Sequence, residues 1–250
     1  MGMYDDFAEY YASGPYPQHS LTMAGLFLQT LHRFGLRPQE ILDIACGEGS
    51  FAVAMAGMGL SITGLDISPR MLDLARSRAK EAGVSIEFIH RDMRELTFTG
   101  RFDLATCWYD SLNYLLDPAD LEKTFAGVAQ ALKPGGAFLF DMNTRYGLFV
   151  GWQRHPCYIQ QDTADRLELH RPRCDCEQEQ AIVTVTGFKR NGDHWIRMDE
   201  EHVERAYAVE EIRSCLVRSG FNDPAFWGNL RDLTELKPDS PRVYCLARKS

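Results

Sequence analysis

The run Leu42-Asp43-Ile44-Ala45-Cys46-Gly47-Glu48-Gly49-Ser50 sets two glycines and a carboxylate between two apolar stretches. A turn through Gly47 and Gly49 carries no Cβ, so its backbone can bend tightly and approach a ligand closely. The helix predicted to follow, over Phe51 to Met58, points its free N–H groups at the same place. In open α/β sheets such crevices lie at the carboxyl ends of the strands. Gly47, Gly49 and Ala52, with Asp66 further on, fit the phosphate turn of a dinucleotide site as well as that of other adenosine cofactors.

Asp43 separates these alternatives. A carboxylate at the end of the first strand repels a pyrophosphate, whereas it favours the ammonium and the nearby sulfonium of S-adenosylmethionine. On that reading Ala45, Cys46, Gly47 and Gly49 form the cofactor turn, and Asp66 beside Ile67 accepts from the ribose hydroxyls. Asp92 accepts from the adenine amino group against the apolar wall of Met93, and Cys107 and Trp108 pack near the cofactor. The plainer alternatives are a capping role for Asp43 and Asp66 and a surface turn at Asp92. Tyr109, Asp110, Ser111 and Asn113 come next in the chain and would face an acceptor. Methyl transfer is a direct displacement, so alignment and exclusion of water dominate, and a base is needed only for a protonated acceptor. The catalytic candidates are Tyr11, Tyr109 and His202, with His202 first as base and a structural hydrogen bond as its alternative. His155 and His170 have weaker claims, and Tyr10, Tyr11 and Tyr16 are candidates for a lid over the cofactor, with plain packing of an amphipathic N-terminal helix as the alternative.

These residues need a scaffold that alternates strands and helices. Strands are predicted over Ile41–Ala45, Ser61–Asp66, Ser85–Ile89, Phe102–Cys107 and Ala137–Phe140. Ser68-Pro69 reads as an N-cap and first helical position, with Gly83 as the stop, and a second helix runs from Pro118 to Leu132. The alternation implies right-handed crossovers and a parallel sheet covered on both faces. Residues 146–205 change character, with four strand-like segments and an Asn191-Gly192 hairpin signal, and read as an inserted antiparallel β cap with one solvated face. The α/β pattern resumes with a helix over Val209–Ser219 and strands over Pro224–Leu230 and Arg242–Arg248, so that residues 1–145 and 206–250 form the cofactor-binding domain.

Composition narrows the function classes. At 250 residues, 45% hydrophobic and 25% charged, the chain can build a core without disulfides or metals. A net charge of −8 argues against nucleic acid and anionic membrane as partners. Seven cysteines without a Cys-x-x-Cys pair fit reduced thiols, and the spacing of Cys174 and Cys176 does not suit a zinc site, so no metal is expected. Without a signal peptide or an apolar run long enough to span a bilayer, the chain reads as soluble and cytoplasmic.

The ordered set of motifs resembles the class I S-adenosylmethionine-dependent methyltransferases. It comprises Leu42–Gly49, Gly64-Leu65-Asp66-Ile67-Ser68, Asp92-Met93, Arg101-Phe102-Asp103-Leu104 and Leu132-Lys133-Pro134-Gly135-Gly136. Phe7-Ala8-Glu9-Tyr10-Tyr11, the insertion, Glu200–Tyr207 and Trp227-Gly228-Asn229-Leu230 extend the likeness to a small-molecule subgroup that includes amino-sugar N-methyltransferases. The resemblance implies a Rossmann-like, seven-stranded, mostly parallel sheet whose last strand is antiparallel. It also implies that Asp43 and Gly47 hold the methionine end, Asp66 the ribose, and Asp92 with Met93 the adenine. Ala45 departs from the glycine common in that position. The expected function is methyl transfer to a small-molecule acceptor, an amine being favoured, with oligomeric state open. The alternatives are a non-catalytic binder of S-adenosylmethionine or S-adenosylhomocysteine, and an NAD(P)-dependent oxidoreductase.

Overall fold

The computed structural model describes Tyr4 and residues 6–250. Two N-terminal helices, α1 (Ala8–Ser13) and α2 (Tyr16–Arg33), precede β1 (Glu40–Ile44), α3 (Ser50–Gly57), β2 (Ser61–Asp66), α4 (Pro69–Ala82) and β3 (Glu87–His90). The chain continues through β4 (Phe102–Cys107), α5 (Pro118–Ala131) and β5 (Leu132–Asn143) into β6 (Tyr158–Asp162), β7 (Arg166–Asp175), β8 (Gln180–Asn191) and β9 (His194–Arg205). It ends with α6 (Val209–Arg218), β10 (Phe221–Asn229), β11 (Thr234–Glu235) and β12 (Arg242–Lys249).

The main sheet has the order β11-β10-β12-β5-β4-β1-β2-β3. Strands β3, β2, β1, β4 and β5 run parallel, and β12 inserts antiparallel between β5 and β10. Seven strands match the expected fold, and the two-residue β11 adds an eighth at the edge. From β1 the chain proceeds to β2 and β3 on one side and then crosses to β4 and β5 on the other, and this reversal opens the crevice between β1 and β4 at their carboxyl ends.

Side-chain alternation assigns the two faces. Leu42, Ile44, Ala105 and Cys107 join α5 and α6 in one core, while Ile41 and Leu104 join Phe27 of α2 and Phe51 and Met55 of α3 in the other. Helix α4 begins as its sequence predicts: Ser68 accepts from Met71 N at 3.3 Å, Pro69 follows, and Gly83 at φ 68° ends it. Helix α2 escapes the sequence reading. It carries proline in its first turn and buries Met23, Ala24, Phe27 and Leu31, three or four residues apart in the main.

The four strands β6–β9 form a separate antiparallel sheet, with the Asn191–His194 hairpin closing β8 onto β9. The expected single solvated face holds only in part. Ala181, Ile182 and Val183 are all buried, because β8 lies between two strands while α1 and α2 pack against Val183 and Val185. Among the described residues no helix is long and apolar enough to cross a membrane.

Candidate active site

The turn after β1 is built on left-handed backbone: Ala45, Gly47 and Gly49 have φ of 53°, 55° and 81°. Asp66, at the end of β2, fastens that turn. Its Oδ2 accepts from Gly47 N at 2.9 Å and its Oδ1 from Ser68 N at 2.8 Å. Each oxygen retains a lone pair for a further donor. Asp43 is 2% exposed and accepts from Thr106 Oγ1 at 2.8 Å. Burial, reinforced by the nearby Asp66, lifts its carboxyl to about 7 against the pull of Thr106. A buried carboxylate so placed is relieved by a cation.

These groups border a cleft of about 740 Å³. Asp43, Ala45, Cys46, Gly47, Asp66 and Ile67 line it together with Met93, Trp108 and Tyr109. Six of its wall residues carry no individual role in the sequence reading: Tyr4, Ser20, Glu48, Phe51, Met71 and Tyr114. Glu48 is 1% exposed and is paired with Arg78 Nη2 at 2.5 Å, a contact between α3's approach and α4 that no local spacing signals.

Two expected cofactor residues stand elsewhere. Cys107 is fully buried on the opposite sheet face, because it follows Thr106 on β4 and alternation turns it into the α5–α6 core. Gly49 also lies outside the cleft. A Cβ there would sit 2.8 Å from Ala75 Cβ, so its role is close packing of the turn on α4. Asp92 borders an adjoining groove of about 510 Å³ that shares Ala45, Asp66, Ile67 and Met93 with the cleft. Its carboxylate accepts from Arg94 N at 2.9 Å and Arg94 Nη2 at 2.6 Å, which holds it below the usual carboxylate range.

A second cavity of about 660 Å³ lies beside the first and shares Tyr4, Tyr11, Tyr109 and Tyr114 with it. It sits between α1, the loop after β4 and the antiparallel sheet. Tyr109 and Asp110 both have left-handed backbone, at φ 62° and 58°, and Tyr109 N is held by Asp141 Oδ1 at 2.7 Å. Asp110 and Glu204, 8% and 2% exposed, meet at Asn143 Nδ2, at 2.6 and 2.8 Å. Arg242 Nη1 reaches Asp110 Oδ1 at 3.3 Å and also pairs with Asp141. Burial and the neighbouring Asp110 push Glu204 well above the usual carboxylate range. None of Glu204, Asp141 and Arg242 carries a local sequence signal, since β5, β9 and β12 bring them together.

The three catalytic candidates come near one another but differ in chemistry. Tyr11 stacks on Tyr16 with centroids 4.6 Å apart, and burial raises its hydroxyl well above the ordinary value, as it does for Tyr109. Neither is a ready phenolate, so each would act through its intact O–H. His202 borders only the second cavity; its Nδ1 lies 3.1 Å from Tyr114 Oη, and burial lowers it to about 4, so it stays neutral. Its Nε2 is shielded and has no hydrogen-bond partner. Asn113 does not face the cavities: it is fully buried and ties Asn143 O, Asn143 N and Arg205 O together. His155 is exposed, and Trp227 packs on Phe34, away from both cavities. Tyr10 is buried in the packing of α1 against Gly187, and Tyr16 hydrogen-bonds Glu168. Among the described residues no group of His, Cys, Asp or Glu is arranged to hold a metal, and the exposed Cys174 and Cys176 sulfurs lie 3.8 Å apart.

The first cleft thus offers what a cationic adenosyl cofactor requires: a buried carboxylate without a cation at the end of β1, a glycine turn and an apolar slot. Comparison with known proteins agrees. Residues 41–136 match a methyltransferase-domain family. YqeM of Bacillus subtilis strain 168, named as a methyltransferase, is 34% identical over 220 residues, 84% of each protein. The crystal structure of an S-adenosylmethionine-dependent methyltransferase from Clostridium acetobutylicum superposes with a TM-score of 0.86 at 25% identity over the full length of both chains. CalS10 from Micromonospora echinaspora, an amino pentose methyltransferase solved with S-adenosylmethionine bound, shares the fold at a TM-score of 0.70 and 16% identity, covering 100% of this chain and 98% of its own. The buried Asp43, the Asp66-fastened glycine turn and these likenesses together place the chain among the S-adenosylmethionine-dependent methyltransferases.

Proposed function

We propose that the protein methylates a small-molecule acceptor, an amine, held in the second cavity. The observation that carries this reading is the pair of buried carboxylates, Asp110 and Glu204, in a cavity that meets the cofactor cleft at four tyrosines. Asp110 and the aromatic walls attract an organic cation by charge and by ring quadrupole, and Glu204, kept protonated by burial, adds a hydrogen-bonding carboxyl beside them. The name of CalS10, an amino pentose methyltransferase, is consistent with such an acceptor.

The cofactor, when bound, supplies a methyl carbon activated by positive sulfur. Asp43 would hold its ammonium, Asp66 its ribose, and Met93 the apolar edge of its base. The protein's own contribution is alignment and dryness. Tyr4, Tyr11, Tyr109 and Tyr114 stand where the two cavities meet and keep water from the reacting atoms. Asp110, held in place by Arg242 Nη1 at 3.3 Å, faces the acceptor's charged end.

Transfer of radiolabelled methyl groups to primary and secondary amines, set against alcohols of the same shape, tests this reading. Amines should be methylated and Asp110→Asn should raise their KM. Intact cofactor binding with transfer to no amine, or equal transfer to the alcohols, would sink it.

A further inference from the structure

The second cavity contains a chain of hydrogen bonds that neither the methyl transfer nor the acceptor's charge explains. Tyr158 of β6 borders the cavity, and its Oη lies 3.1 Å from His170 Nδ1. On its other side, His170 Nε2 lies 2.6 Å from Glu168 Oε1. Glu168 is fully buried on β7, and His170 is 8% exposed. Tyr16 of α2 donates to the same Oε1 and lies 3.2 Å from His170 Nε2. The second oxygen of Glu168 is buried without a partner.

This arrangement fixes the tautomer. Tyr16 already donates to Glu168 Oε1, so that oxygen accepts, and the ring nitrogen facing it carries the proton. Nδ1 then presents a lone pair and accepts from the Tyr158 hydroxyl. The order is that of a base held by an orienting acid, with the phenol as the atom that reaches the cavity.

We propose that Tyr158 takes the proton of the methyl acceptor and passes its own to His170, with Glu168 and Tyr16 as positioning residues. This rests on the reading of the second cavity as the acceptor site. In the step, the acceptor's N–H bond breaks and its electron pair stays on nitrogen. The proton goes to Tyr158 Oη while the Oη–H proton moves to His170 Nδ1. Tyr158 ends neutral, and His170 ends as an imidazolium paired with Glu168. The positive charge gained by the methylated nitrogen is thereby carried away from the cofactor cleft into the antiparallel sheet.

Two measurements decide the matter. Nitrogen-15 correlation spectra of the imidazole ring, in protein saturated with S-adenosylhomocysteine and assigned with His170→Gln, should show the Nε2–H tautomer, with the Nδ1 signal moving in Tyr158→Phe. An Nδ1–H tautomer would overturn the proposal, since that nitrogen could then accept nothing. With any amine that the wild type methylates, Tyr158→Phe should lower kcat by about 100-fold or more, the usual scale for a lost general base, with the KM for S-adenosylmethionine unchanged. Glu168→Gln should shift the acid limb of the kcat profile, which a purely structural pair would not move. A kcat within about threefold of wild type in Tyr158→Phe, at unchanged melting temperature, contradicts the relay. If S-adenosylhomocysteine binds but no amine is methylated, the amine reading fails, and the tautomer still decides the relay.

Discussion

The hydroxyl of Thr106, on β4, donates to Oδ1 of Asp43, on the adjacent β1, at 2.8 Å. It opposes the burial that raises the Asp43 carboxyl to about 7. Thr106→Val keeps the shape and removes the donor. A hydrogen bond to a charged group contributes about 1.5–3 kcal/mol, so the Asp43 midpoint should move up by about one pH unit or more. Calorimetric titration with S-adenosylhomocysteine at pH 6 should show weaker binding in the variant, recovering toward pH 8.5.

In the wild type, the same carboxylate makes cofactor affinity depend on pH. Only the ionised form attracts the ammonium, so affinity should fall by about tenfold per pH unit below 7 and level off above it. The effect on stability has the opposite sense. The folded state binds the Asp43 proton more tightly than the unfolded chain, so this contribution is present below the unfolded value and is lost as pH rises through about 7. Asp43→Asn should flatten both curves; a pH-independent affinity in the wild type would contradict the assignment.

Gly47 and Gly49 share left-handed backbone but not surroundings. An added Cβ at Gly49 meets Ala75 at 2.8 Å, whereas one at Gly47 meets nothing within 4 Å. Gly49→Ala should therefore cost roughly 2–4 kcal/mol of stability, from clash and strain together. Gly47→Ala should cost only about 1 kcal/mol in unfolding, with its larger effect on cofactor affinity. Urea denaturation of both variants, with and without S-adenosylhomocysteine, separates the two.

Arg242 is the guanidinium shared by Asp110 and Asp141. Its removal leaves buried carboxylates without a cation, a loss of about 3–5 kcal/mol. Arg242→Gln should therefore melt well below wild type at pH 8. A melting temperature equal to wild type at pH 8 would show that the pair contributes little.

The parallel half of the fold was legible because its signals are local. Ser68-Pro69 and Gly83 bound α4 as their chemistry requires, and short apolar runs end at Asp66 and Cys107 as strands do. Helix α2 was not legible, since its exposed Leu21 and Leu28 blur the apolar stripe of Met23, Phe27 and Leu31. In the site, the turn residues Ala45 to Gly47 and the strand-end Asp43 and Asp66 border the cleft because position in the strand determines direction. The expectation for Cys107 failed on the same rule, one residue out of phase with Thr106. In the second cavity, Tyr11, Tyr109, Asp110 and His202 were named from the sequence, but not the partners that meet them. Glu204 and Arg242 meet Asp110 from 94 and 132 residues away, and His170 meets Tyr16 across 154. No spacing within one chain encodes such encounters.

The central claim is that Asp43 and Asp66 frame the site of a cationic adenosyl cofactor. Calorimetric titration of S-adenosylmethionine and S-adenosylhomocysteine into the wild type, Asp43→Ala and Asp66→Ala at pH 8 tests it most directly. Both ligands should bind the wild type saturably and one-to-one, with a loss of about tenfold to 100-fold or more in each folded variant. Wild-type protein that binds neither ligand, or variants that bind as tightly as wild type, would contradict it.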